Sequence, residues 1–136
     1  MSFAEIYQVA GSGMTVQTLR LNAIASNLAN AGVAAESSDS AYRAIKPVFA
    51  TLYQQQDNSV SARVQMKALV ESDAPLETRY EPGHPLANAE GYVTYSNVNT
   101  VEEMADMMAA SRAFETSVEV MNRARSMQQG LLALGK

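Results

Sequence analysis

Residues 3–31 read FAEIYQVAGSGMTVQTLRLNAIASNLANA, and the period of their apolar side chains decides the fold. Phe3, Tyr7, Ala10, Met14, Leu21, Ile24, Leu28 and Ala31 follow alternating steps of three and four, with Gln17 as the one polar break. That period of 3.5 puts them on one helix face and fits a coiled-coil seam better than a straight helix. Ser2-x-x-Glu5 has the spacing of a capping box, which starts the helix at Phe3. A helix over 3–30 would be ~42 Å long. Gly11-Ser12-Gly13 interrupts it, at a cost of roughly 1 kcal/mol per glycine relative to alanine. The arm is therefore weakly helical alone and needs a partner. The same stripe also fits a core helix of a small bundle.

The opposite end of the chain has the same character. Asn99-Thr100-Val101-Glu102-Glu103 offers a second capping box at Thr100 and Glu103, with Asn99 as the alternative cap. Acidic residues come early and Arg123, Arg125 and Lys136 late, the polarity that a helix dipole favours. Apolar side chains recur at Met104, Met107, Met108, Phe114, Val118, Met121, Leu131 and Leu132. A helix over 100–133 would run ~50 Å, with Gly135 as its stop.

Between the arms the pattern changes. All four prolines lie between residues 36 and 98. Ala62, Val64, Met66, Ala68 and Val70 alternate with Arg63, Gln65, Lys67 and Leu69, the period of a half-buried strand. Tyr42 to Tyr53 is a second strand candidate, placed at an edge by Pro47, and Tyr92 to Tyr95 a third. Glu81-Pro82-Gly83-His84 has the signal of a type II turn. Residues 34–40 and 54–61 are polar and read as loops. The expectation is an α+β protein with a helical arm over 1–33, a small β-rich module with loops over 34–98 and a second helical arm over 99–136. The module is too small to cover both stripes. The long arms pair antiparallel as a coiled coil, pack on other subunits, or do both.

Composition narrows the chemistry. The chain has 136 residues, 14 acidic against 10 basic, and no cysteine. That excludes disulfides, thiol nucleophiles and Cys-ligated metals, and a net charge of −4 argues against nucleic acid. No apolar run approaches the roughly 20 residues of a membrane span, and the N-terminus has no signal-peptide pattern. The single histidine, His84, sits between Gly83 and Pro85 and reads as a turn residue. The Gly-Ser-Gly at 11–13 lacks the Gly-Lys-Ser/Thr of a phosphate loop. No catalytic constellation, cofactor site or metal site is expected. Physics alone favours an assembly protein, its Met-rich second arm suited to adaptable contacts.

Leu21 to Ala31, with Asn27-Leu28-Ala29-Asn30 at its centre, resembles the N-terminal signature of flagellar axial proteins, the rod, hook and hook-associated family. The stretches Tyr80 to Tyr92, Asn97 to Met104, Ala110 to Glu115 and Leu132-x-Leu134-Gly135 resemble its proximal-rod members. One departure is that Gly32 to Ala41 intervenes before Tyr42-Arg43, where most of the family turns directly. The resemblance implies a structural subunit of the basal-body rod, the shaft carrying torque from motor to hook. It implies export through the flagellar type III apparatus without a cleaved signal peptide, a periplasm-spanning location, and further copies of itself together with FlgB, FlgF and FliE as rod partners. Its alternative is another rod- or hook-type axial protein, or a subunit of a different type III-secreted helical assembly. Assembly contacts are expected at Phe3, Tyr7, Met14, Leu21, Ile24, Asn27, Leu28 and Asn30 in the first arm. In the second they are expected at Met104, Met107, Met108, Phe114, Val118, Met121 and Leu132. Phe49-x-x-x-Tyr53 resembles the short element that engages the export gate, and fits better a pair of strand core residues.

Overall fold

A computed structural model describes residues 2–56 and 59–135, the side chains of 54–56 and 59–61 excepted. Helix α1 spans Phe3–Ala29 and helix α2 Thr100–Leu134. The first capping box forms reciprocally. The Ser2 N–H donates to Glu5 Oε2 at 2.9 Å and the Glu5 N–H to Ser2 Oγ at 3.3 Å. α1 ends where Gly32, at φ 69°, turns left-handed, a conformation glycine adopts without strain. The second capping box does not form. Asn99 Oδ1 accepts from the N–H groups of Val101 and Glu102 at 3.1 and 3.3 Å, while Glu103 is drawn into a buried contact instead.

Two sheets lie between the helices in sequence. Strands β1 (Ala34–Ala35), β4 (Glu77–Tyr80) and β5 (Tyr92–Tyr95) form a sheet in the order β1-β5-β4. Both pairings are antiparallel, Ala34 facing Tyr95 and Tyr80 facing Tyr92. Strands β2 (Ile45–Gln56) and β3 (Ser59–Glu71) pair as a second sheet, and a two-residue connection permits only a hairpin. The fold is α+β.

Three expectations need correction here. The loop expected over 54–61 is strand through Gln56 and again from Ser59, with 57 and 58 outside the described residues. The loop expected over 34–40 begins with β1. The turn at Glu81 closes, the His84 N–H donating to the Glu81 carbonyl at 3.0 Å, yet it is not type II. Type II needs a positive φ at Gly83, and the positive-φ glycines are Gly32 and Gly91. At Gly91 a Cβ would lie 2.9 Å from the Tyr80 ring and 3.2 Å from Pro82, so only glycine fits.

The chain folds into two compact units. Unit 1 comprises Met1–Leu21, Pro47–Ala68 and Met108–Lys136, and unit 2 comprises Asn22–Lys46 and Leu69–Met107. In unit 1 the buried side chains are small, Ala10, Val16, Ala110 and Ala124. Small residues let backbones approach: a Cβ on Gly13 would lie 3.3 Å from Ser117 Oγ. Tyr7 OH donates to Gln128 Oε1 at 3.4 Å, and the Val64 N–H donates to Ser12 Oγ at 3.2 Å, seating the hairpin on α1. Unit 2 buries Ala23, Ile24, Ala41, Ala44, Val93 and Tyr95 together with Asn27, Ser96 and Glu103. Among the described residues no helix is long and apolar enough to cross a membrane.

Candidate assembly surfaces and the Asn27 clasp

The most ordered polar feature is centred on Asn27, which lies in the last turns of α1 and is 1% exposed. A carboxamide has two donors and two good acceptor positions. All four are used. Nδ2 donates to the Ile45 carbonyl at 2.9 Å and to Glu103 Oε1 at 3.0 Å. Oδ1 accepts from the Ile45 N–H at 2.9 Å and from Tyr42 OH at 3.0 Å. One side chain thus binds both backbone groups of Ile45, as a neighbouring strand would, and links them to α2 through Glu103. Tyr42 spends its only proton on Asn27, so Ser26 Oγ, 3.1 Å away, donates to Tyr42.

Neighbouring residues extend this clasp. Ser96 Oγ donates to the Asn30 carbonyl at 2.8 Å and accepts from the Gly32 N–H at 3.1 Å, satisfying the exit of α1. Asn97 Oδ1 accepts from the Ala44 N–H at 2.7 Å, and its Nδ2 donates to the carbonyls of Ser72 and Ala74. Burial pushes the Glu103 carboxyl above the usual range, opposed by the Asn27 hydrogen bond and reinforced by the charge of Asp106. Lys46 pairs with Glu102 at 2.8 Å in solvent, a contact of little net worth.

Apolar surface remains open in unit 1. A groove of about 500 Å³ is walled by Ile6, Val9 and Gly13 of α1, Val64 of β3, and Ser117 and Val120 of α2. Further along α2, Met108, Met127, Leu131 and Leu132 are each more than half exposed. Of the residues expected in assembly contacts, Ile24 and Asn27 are buried. Phe3, Tyr7, Met14, Leu21, Leu28 and Asn30 are half-buried on α1, as are Met107, Phe114, Val118 and Met121 on α2. Met104, Met108 and Leu132 are exposed. Phe49 is half-buried in β2 while Tyr53 is 75% exposed, so the two are not a buried core pair.

Sequence reasoning missed Tyr42, Ser96, Asn97 and the buried role of Glu103. It also missed that Glu103, Ala110, Ser117 and Ala124, spaced by seven, are the inward line of α2. Their signal was small size at heptad spacing, overlooked beside larger methionines. Among the described residues no group of His, Asp and Glu could hold a metal. His84 Nδ1 accepts from the Leu86 N–H at 3.1 Å, which makes it part of its turn.

Known proteins match the chain at both ends and throughout. A family model described as flagella basal body rod protein matches residues 8–34. A second, described as flagellar basal body rod FlgEFG protein C-terminal, matches residues 89–134. The flagellar basal-body rod protein FlgC of Escherichia coli is 41% identical over 136 residues, the whole of both chains. The FlgC of Salmonella typhimurium is 40% identical over the same span, and that of Borreliella burgdorferi 33% identical over 93% of each chain.

Proposed function

The chain belongs to the family of flagellar basal-body rod protein FlgC and is a structural subunit of that rod, and on this premise we propose that its two helices form the assembling and load-bearing part. α1 and α2 pair antiparallel as a coiled coil, and residues 34–98 serve as a spacer held on by the Asn27 clasp. The observation that carries this reading lies in unit 1. As α1 advances from Tyr7 to Gly13, its contacts on α2 retreat from Gln128 to Ser117. Heptad spacing on both helices supports the same pairing.

The half-buried and exposed seam residues, among them Phe3, Met14, Leu21, Met104, Phe114, Met121 and Leu132, then meet other rod subunits. FlgB, FlgF and FliE are the proposed neighbours, by family analogy. The subunit has no enzymatic activity, works in the periplasm-spanning part of the basal body, and leaves the cell through the type III apparatus without a cleaved signal peptide. Tyr53, exposed four residues after half-buried Phe49 in β2, supports a role for this pair at the export gate.

Leu21→Asp and Met121→Asp test the assembly reading. Each puts a charge into a half-buried seam, which costs several kcal/mol when unpaired. The expected result in a strain relying on the variant is secreted subunit, no rod and no swimming. Swimming at the unaltered level with either variant would overturn the assignment of those residues.

A further inference from the structure

With no cysteine, the chain carries all of its sulfur in eight methionines. The fold does not treat them alike. Met14, Met66, Met107 and Met121 are half-buried. Met104, Met108 and Met127 are 57%, 60% and 63% exposed, and all three lie on α2. Each belongs to a short stripe of exposed apolar side chains at helical spacing. Val101, Met104 and Met108 follow steps of three and four, and Met127, Leu131 and Leu134 steps of four and three. A thioether is soft and apolar, suited to packing against adaptable neighbours. The same sulfur is a common target of oxidants.

We propose that Met104, Met108 and Met127 form an oxidation site on α2, at which a peroxide turns the free subunit from competent to incompetent for packing. In that step a sulfur lone pair attacks one peroxide oxygen. The S–O bond forms, the O–O bond breaks, and the departing hydroxide takes up the remaining proton and leaves as water. Sulfur is oxidised by two electrons and the peroxide reduced by two. The sulfoxide is polar and accepts hydrogen bonds. Packing either stripe against another subunit then buries that oxygen beside Val101, Leu131 or Leu134, whose side chains donate none. Around the half-buried methionines neighbouring side chains restrict approach, so the fold itself ranks the sulfurs. An assembled subunit covers its stripes, which confines the sensitivity to the interval before packing. Two reductases, one for each sulfoxide epimer, reverse the step.

The inference rests on the reading of α2 as an assembling helix, and the experiment separates the two. The purified full chain is treated with hydrogen peroxide and its methionines are followed by peptide mass mapping. Met104, Met108 and Met127 should oxidise at least about tenfold faster than Met14 and Met121, a difference that vanishes in denaturant. Equal rates in the native chain overturn the site and leave the assembly reading untouched. In cells, synthesis of the chain is induced during mild peroxide exposure, and new basal bodies are counted against each strain's own unexposed culture. The unaltered chain should lose about fivefold. The Met104→Leu/Met108→Leu/Met127→Leu chain keeps side-chain volume, takes up no oxygen, and should lose less than about twofold. Equal losses in the two strains overturn the switch. The Met104→Gln/Met108→Gln/Met127→Gln chain carries a permanent polar mimic of the sulfoxide at three exposed positions, where substitution leaves the fold of the isolated chain intact. It should be secreted and build no rod. Rods at the unaltered level from this chain overturn the switch, and they also remove Met104 from the assembly contacts.

Discussion

Asn27 lies beside the apolar stripe of α1, and only the family resemblance singled it out, as an assembly contact. Its partners are 15, 18 and 76 positions away, which is why no local pattern announced them. Removing the carboxamide strands both backbone groups of Ile45 in a buried site, each a penalty of about 1–3 kcal/mol. Asn27→Ala is expected to cost about 3 kcal/mol or more in chemical unfolding of the purified chain. A loss below about 1 kcal/mol would mean water replaces the amide. Glu103 allows a pH test. Its carboxyl is raised by burial, so the native state holds the proton more tightly than the unfolded chain does. Stability from this group is therefore fully present below the ordinary value of 4.5 and is lost as pH rises through the raised native value. Glu103→Gln keeps an acceptor for Asn27 and does not titrate. The difference in melting temperature between wild type and this variant should favour the variant increasingly from pH 4.5 to pH 7. A difference independent of pH would show that burial does not perturb the group.

At the scale of elements, both helices were legible nearly to the residue, because heptad spacing and the Ser2–Glu5 box are local signals. Of the two caps offered at the second helix, Asn99 outcompetes Thr100 once Glu103 is drawn to Asn27. The hairpin was underestimated for a physical reason. Strand pairing is made by backbone groups, which every one of these residues carries, so polar Gln54 to Gln56 extends a strand while reading as a loop. The glycines of α1 are unequal. A Cβ at Gly11 would meet nothing within 4 Å, so Gly11→Ala should gain about 0.5–1 kcal/mol from helix propensity. At Gly13 the Ser117 hydroxyl is 3.3 Å from the would-be Cβ, so Gly13→Val should wedge α1 from α2 and forfeit that gain. Thermal melts of the two variants settle it; equal shifts would deny any close helix approach at Gly13.

On the scale of the whole molecule, division into arms and a middle was read from the distribution of charge and proline, and the two units cut across it. Truncation after Met107 tests their independence, because it removes only residues of unit 1. Hydrogen exchange should then show the Ile45 and Ala44 amides still protected and that of Val64 faster by about tenfold or more. Equal loss at all three would mean the units fold as one.

Interleaving of the units also fixes the order of events for a chain emerging from one end. Unit 2 stays incomplete until residue 107 has appeared, and unit 1 lacks its third stretch until everything beyond has followed. Contacts of such sequence separation form slowly and late. Neither unit can close before residue 107 has appeared, so a chain emerging from one end makes its long-range structure only after most of its length is out.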